Sequence, residues 1–335
     1  MKQTSRRITC VTLWCGFLAL TAAGQQPPAI LTVELDNIVM YLDDVNSFDR
    51  LATNPNAAAL AQTARNFVPV VWIADVISVN GRPAKGTWTF DGSLLLRGAA
   101  PQPGTAIADI PGAFAFHLTC GIQQVDGTPV GTIMASGWGG SPRPPGAPAA
   151  ILQADMAVTG GTGAYLGMRG QVGQGGITTN GGRTASMAED PANRRVHGGG
   201  GRRYVFHLIP MSRPGIVVGA NGPQIFHADF SPVTSARPAR AGETLIVTAT
   251  GLGPTRPGVN PGQEFPSNPV QEVNSPVDVL VGGRAAEVVN KIGWPGSTDT
   301  YRVDIRVPDA IAPGMTTVQI SAAWIPGVDV QIPIQ

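Results

Sequence analysis

Lysine is the scarcest charged residue here: three in 335 positions, at Lys2, Lys85 and Lys291. Charged residues of every kind make up 13% of the chain, against ~25% in an ordinary soluble protein. With 23 basic and 22 acidic side chains there is no cationic excess to neutralise phosphates, which excludes generic nucleic-acid binding. The low net charge and 43% hydrophobic content equally exclude a disordered chain. The four histidines, His117, His197, His207 and His227, have no metal-ligand spacing, and neither an HExxH nor a Gly-x-Ser-x-Gly motif is present. No metal and no cofactor is therefore expected. The 43 glycines and 30 prolines exceed one residue in five, too many for a helical bundle. Composition leaves a globular, turn-rich, mainly β protein.

The first 24 residues have three zones. Lys2, Arg6 and Arg7 form a positive start, Ile8 to Ala22 an apolar run, and Thr21 to Gly24 a small-residue end. This is the pattern of a secretory signal peptide over residues 1–24. The run is shorter than the ~20 residues of a spanning helix, so no transmembrane anchor is expected after cleavage. Removal takes three positive charges and also Cys10 and Cys15, leaving Cys120 as the one cysteine of the mature chain. A lone cysteine forms no internal disulfide, so packed cores must hold the fold. Cys120 alternates with Phe114, Phe116, Leu118 and Ile122, as a small buried hydrophobe would.

Beyond Ala29 the chain reads as strands broken by glycine turns. Strands are expected over residues 30–42, 68–79, 87–96, 113–123, 129–136, 151–159, 164–172 and 204–209. Hairpin signals stand at Asn80-Gly81, Asp126-Gly127 and Gly160 to Gly163. One helix is expected, with Asn54 as N-cap and Pro55 in its first turn, running to Arg65. Residues 137–150 and 173–203 read as Gly- and Pro-rich loops. A linker over 213–221 separates a first domain (25–212) from a second (222–335). In the second, seven short strands without a helix suggest a β-sandwich. Tyr301, Val303, Ile305 and Val307 alternate there with Arg302, Asp304 and Arg306, one face buried and one wet. Few apolar residues lie in the linker, which predicts that a fragment from about Ala220 folds alone.

Gly251-Leu-Gly-Pro-Thr, Pro276 to Ala286 and Trp294-Pro-Gly, followed by Tyr301 to Pro308, carry a likeness over residues 222–335. This part resembles the C-terminal domain of secreted acidobacterial proteins, itself similar to the IPT/TIG immunoglobulin-like fold. That resemblance implies an extracellular interaction module whose partners are cell-surface or extracellular proteins. Gly112-Ala-Phe-Ala-Phe, Asp126-Gly-Thr-Pro-Val-Gly and Ala157 to Gly170 resemble the allene oxide cyclase and dirigent barrel superfamily. The fold implied is an antiparallel eight-stranded barrel around an apolar cavity.

The run Val158 to Gly167 also resembles the nucleotide turn of short-chain dehydrogenases. A dinucleotide turn needs a helix behind it, and Met168 to Gly182 carries too many glycines to form one. The glycines are better explained as a hairpin turn. If the barrel holds a small apolar ligand, Phe114, Phe116, Leu118, Trp88 and Phe90 line its cavity. If it is catalytic, Asp155, Tyr165 and Arg169 are the ionisable candidates, because plant relatives use polar cavity residues in this region. Tyr165 and Arg169 share one face of the expected strand; Asp155 lies opposite Met156 and Val158 and points outward if the apolar face points in. The expectation is an exported, non-enzymatic binding or scaffolding protein of the cell envelope or extracellular space. The alternative is a cyclase- or isomerase-like, or dirigent-type, barrel acting on a small apolar molecule.

Export has a direct check. The mature protein should begin at Gly24 or Gln25 and be found in the periplasm or medium; N-terminal sequencing that reads Met1 on a cytoplasmic protein overturns it.

Overall fold

The computed structural model describes residues 27–42, 67–95, 114–139, 154–179 and 182–335. The expected signal peptide and the helix over Asn54–Arg65 lie outside these residues. The fold is mainly β, with one closed antiparallel barrel of eight strands and a second sheet.

The barrel strands are β1 (Ala29–Leu42), β2 (Phe67–Val79), β3 (Lys85–Leu95), β4 (Phe114–Gln123), β5 (Pro129–Gly139), β6 (Ala154–Gly163), β7 (Arg169–Thr179) and β8 (Gly200–Ile209). Each pairs antiparallel with the next, and β8 returns to β1. Alternate residues point inward, as a pleated strand requires: Trp88 and Phe90 from β3, Phe116 to Ile122 from β4, Met156 and Val158 from β6, Tyr204 to Leu208 from β8. Asn80 and Gly81 both have positive φ, the two-residue hairpin signalled by that dipeptide. Asn80 Oδ1 also accepts from the Thr32 amide at 2.7 Å, tying the turn to β1.

Several boundaries differ from the sequence expectation: β5 runs on to Gly139 and β8 starts at Gly200, both inside stretches read as loops. Residues 164–167 form a turn, and β7 begins at Arg169 and continues to Thr179, into the stretch read as a loop. One of its glycines serves close packing: a Cβ on Gly175 would sit 2.7 Å from Val205 Cγ2 of the neighbouring strand. The rest of that stretch is also structured. Arg183–Ser186 pairs parallel with Val39 to Leu42 of β1, and short helical turns cover Pro191–Asn193 and Arg194–His197.

The reason lies in β1. Asn37, at φ 53°, interrupts the register between Leu35 and Ile38, and the strand's end, Ile38 to Leu42, is apolar on both faces. Met40 and Leu42 pack on the side of Val68, Val70 and Leu94. Val39 and Tyr41 pack with Val71, Ile73 and Ala185. An apolar run on both faces needs cover on both, and the segment carrying Ala185 supplies it.

In the second sheet β9 (Ile225–His227), β10 (Thr244–Thr250), β11 (Val277–Val281), β12 (Arg284–Gly293), β13 (Thr300–Arg306), β14 (Gly314–Ala322) and β15 (Val330–Ile334) pair antiparallel. β12 serves three partners: β11 through Arg284 to Ala286, β13 through the residues after them, and the short strand Glu272–Val273 through Ile292. Leu245, Val247, Val303 and Ile305 share one core with Val279, Val281, Val318 and Ile320. The segment read as a linker belongs to this sheet in part, since Gly215–Ile216 pairs with Thr250 and Ala249.

The two parts interlock. The short turns at 80–81, 124–128 and 164–168 lie at one end of the barrel, and the strand ends Leu42, Leu95, Gly139 and Thr179 lie at the other. The short-turn end is filled by the hairpin after β14. Its tip residues Ala323 (φ 50°) and Trp324 (φ 61°) are both left-handed, a conformation that costs a side chain ~1–2 kcal/mol per residue. Ala323 and Ile325, each 1% exposed, belong to the barrel's own hydrophobic cluster, with Trp324 packed against it. Around this plug Gln124 Nε2 donates to the Asn274 carbonyl at 2.5 Å, Arg256 donates to Thr128 Oγ1 at 2.7 Å, and Arg82 pairs with Asp278. The cores are therefore coupled by a contact outside the linker, where sequence composition gave no sign of it.

Truncating Ile325 to alanine should cost ~2–5 kcal/mol and destabilise the barrel although the residue belongs to the second sheet. Urea unfolding followed by near-UV circular dichroism measures this; a loss below ~0.5 kcal/mol, as at a surface site, would show that the plug bears no load.

Candidate binding cleft and the expected site residues

Of the residues expected to line a cavity, Trp88, Phe90, Phe116 and Leu118 face inward. Trp88 is fully buried, Leu118 is 1% exposed, and Phe90 and Phe116 are 4% exposed. The Phe114 side chain lies outside the described residues. The rings pack on one another: Phe90 to Phe116 at 3.7 Å between centroids, Trp88 to Phe90 at 5.4 Å, Trp88 to Tyr204 at 4.9 Å and Trp72 to Phe90 at 5.6 Å. The aromatic pairs between 4.9 and 5.6 Å add ~0.5–1.5 kcal/mol each beyond the area they bury. This part of the interior is occupied by the protein's own side chains. Trp88 Nε1 finds no acceptor there, an exception to the rule that buried donors are paired. Cys120 sits in the same wall, fully buried, and desolvation pushes its thiol up to about 12.

The ionisable candidates do not converge. Tyr165 lies in the turn after β6, where strand alternation does not apply, so it shares no face with Arg169. It is fully buried at the plugged end, its hydroxyl 3.5 Å from the Ala323 carbonyl, and burial raises its pKa well above the ordinary value. Arg169 is exposed and donates to the carbonyls of Thr159 (2.7 Å) and Met168 (3.1 Å). The backbone of Asp155 pairs with Trp138, and its side chain lies outside the described residues. The glycine motif is a hairpin turn, with Gly163 at φ 62° and Gly167 at φ 71°, conformations open to glycine. A Cβ on Gly167 would lie 2.7 Å from Met211 Sδ.

That turn forms one wall of a cleft of about 690 Å³ between the barrel and the second sheet. Leu166 and Met211, 63% and 71% exposed, offer apolar contact on one side. Phe265 and Tyr301, 5.3 Å apart between centroids, line the other. Burial, and then the charge of Asp299, push the Tyr301 phenol up to about 12, and its hydroxyl donates to the Gly253 carbonyl at 2.7 Å. Arg213 and Asp299 supply the charges of the lining. Arg213 spends donors on the carbonyls of Pro27 (2.5 Å) and Pro326 (3.2 Å). The volume suits a small molecule. Sequence reasoning missed these residues because they meet only when the two sheets dock; the signal available was Met211 standing alone in a Pro- and Gly-framed junction.

A second polar cluster was also unforeseen. Asp75, on the outside of β2, accepts from Arg194 (2.6 Å), from Arg195 (2.7 and 3.0 Å) and from Asn37 (3.1 Å). Glu189 takes both terminal nitrogens of Arg183, at 2.7 and 2.5 Å. These pairs clamp the 183–197 segment over Val39 and Tyr41. Burial pushes the Asp75 pKa up, but the hydrogen bonds from Arg195, Arg194 and Asn37 outweigh it and hold the carboxyl below its usual range.

Comparison with protein families, with curated proteins and with solved structures returns no match for this chain.

Because the folded pKa of Asp75 is depressed, its stabilisation is complete above the ordinary carboxylate value of ~3.9 and is lost as pH falls through the lowered one. Asp75→Asn should therefore cost about 1.5–3 kcal/mol at neutral pH, the range for hydrogen bonds to charged groups. The difference in melting temperature should shrink below about pH 4; a difference that stays constant down to pH 2 would contradict the clamp.

Proposed function

We propose that this chain is an exported, non-enzymatic binding or scaffolding protein of the cell envelope or extracellular space. The barrel serves as its rigid body, and the cleft at the junction takes a small apolar ligand. The observation that carries this reading is the placement of the chemistry-bearing side chains. Tyr165 is buried against Ala323 and Arg169 is tied to backbone carbonyls, while the exposed apolar residues Leu166 and Met211 border the cleft of about 690 Å³.

The closed eight-stranded barrel supports the likeness to the allene oxide cyclase and dirigent superfamily. The shared core of the second sheet supports the likeness to an IPT/TIG-type module for cell-surface or extracellular proteins. A cyclase- or isomerase-like barrel needs ionisable groups that meet at an inner cavity, and Tyr165 and Arg169 do not meet.

An uncharged apolar dye, N-phenyl-1-naphthylamine, tests the cleft. Its fluorescence should rise with the folded protein and fall back when Leu166 and Met211 are replaced by aspartate. Phe116→Ala should instead cost ~3–5 kcal/mol and leave dye uptake in place. No fluorescence rise with folded protein, or uptake lost only on changing Phe116, overturns the assignment to the cleft.

A further inference from the structure

Phe230 carries a bulky side chain at φ 62° and is 53% exposed. A large residue at positive φ is a backbone outlier, held here by its turn. The Phe230 amide donates to the His227 carbonyl and the His227 amide to the Ser231 carbonyl, both at 2.9 Å, while Asp229 Oδ1 accepts from the Ser231 amide and hydroxyl at 3.0 and 2.6 Å. The exposed ring is not isolated. Trp294 crosses it at 66° with 6.5 Å between centroids, and the Arg302 guanidinium lies 5.6 Å from the Phe230 centroid.

Polar groups beside the rings are fixed in place. Arg302 and Asp304 were expected on a fully wet face, yet Asp304 is 9% exposed. Its carboxylate accepts from Arg302 Nε at 2.8 Å and from Asn290 Nδ2 at 3.2 Å. This leaves the terminal nitrogens of Arg302, a side chain 31% exposed, as donors beside the aromatic pair. The charges balance locally, Arg302 against Asp304 and Arg237 against Asp229 at 2.9 Å.

We infer that this outer face of the second sheet, built on Phe230, Trp294 and Arg302, binds a neutral polysaccharide. Sugar rings present apolar C–H faces that stack on aromatic rings, and hydroxyls at their edges that accept from a guanidinium. Local neutrality removes the attraction that nucleic acid or an anionic membrane would need. The partner is thus uncharged and polyhydroxylated. This rests on the binding reading above and uses a surface distinct from the cleft.

The test is migration of the full mature protein in native gels cast with hydroxyethylcellulose, xylan, mannan or dextran, with an alginate gel as the anionic control. At least one neutral polymer should retard it. Phe230→Asn, which keeps a residue tolerant of positive φ, should weaken retardation about tenfold without lowering the melting temperature. Arg302→Ala should weaken it too, and Phe230→Tyr should retain it. Free migration in all four neutral gels, retardation by alginate alone, or retardation unchanged in Phe230→Asn overturns the inference. A protein that takes up the dye yet migrates freely in every neutral gel refutes this surface and leaves the cleft standing.

Discussion

A two-residue turn holds the two halves of this protein together. Two-residue hairpin loops with positive φ at both positions favour Asn-Gly or Gly-Gly, yet here the positions are Ala323 and Trp324. The left-handed backbone of both is unfavourable in isolation. It persists because Ala323 and Ile325 bury themselves in the barrel's own cluster, and burial of an aliphatic side chain contributes ~1.5–3 kcal/mol. Everything at that end depends on the insertion. Tyr165 closes on the tip, Gln124 reaches across to Asn274, and Arg256 reaches back to Thr128.

What the sequence made legible was local. Alternation placed Trp88, Phe90, Phe116 and Leu118 on one inward face, because a strand's side-chain period is a property of the backbone. Asn80-Gly81 announced its hairpin for the same reason. The continuation of β7 through Gly173 to Thr179 was hidden, since its glycines, Gly175 beside Val205 among them, look like loop residues in composition. Tyr165 was placed on a strand because its neighbours are apolar, and a turn of four residues broke the pairing with Arg169. Asp304 was assigned to solvent by alternation, whereas Arg302 and Asn290 cover it. The interlock was invisible altogether: Ala-Trp carries no hairpin signal, and Tyr165, which meets its tip, lies 158 residues away in the chain.

The distribution of polar chemistry follows from this architecture. A closed barrel with a packed interior leaves ionisable groups either outside the wall or at its ends. The Asp75 cluster occupies the wall, where it fastens a covering segment over the two-sided apolar end of β1. The ends of Tyr165 and Arg213 are spent on backbone carbonyls at the junction. Free recognition surface is left where the second sheet meets the barrel and on the sheet's outer face.

Cys120 turns the barrel's closure into something that can be timed. The thiol is fully buried and its pKa is pushed up to about 12, so an alkylating reagent meets neither an accessible sulfur nor a thiolate while the strands remain paired. Reaction requires the wall between β3 and β5 to part. The rate of labelling then counts those partings, and a chain that has lost its plug should be labelled at the rate of its excursions from the closed state rather than at the rate of the reagent.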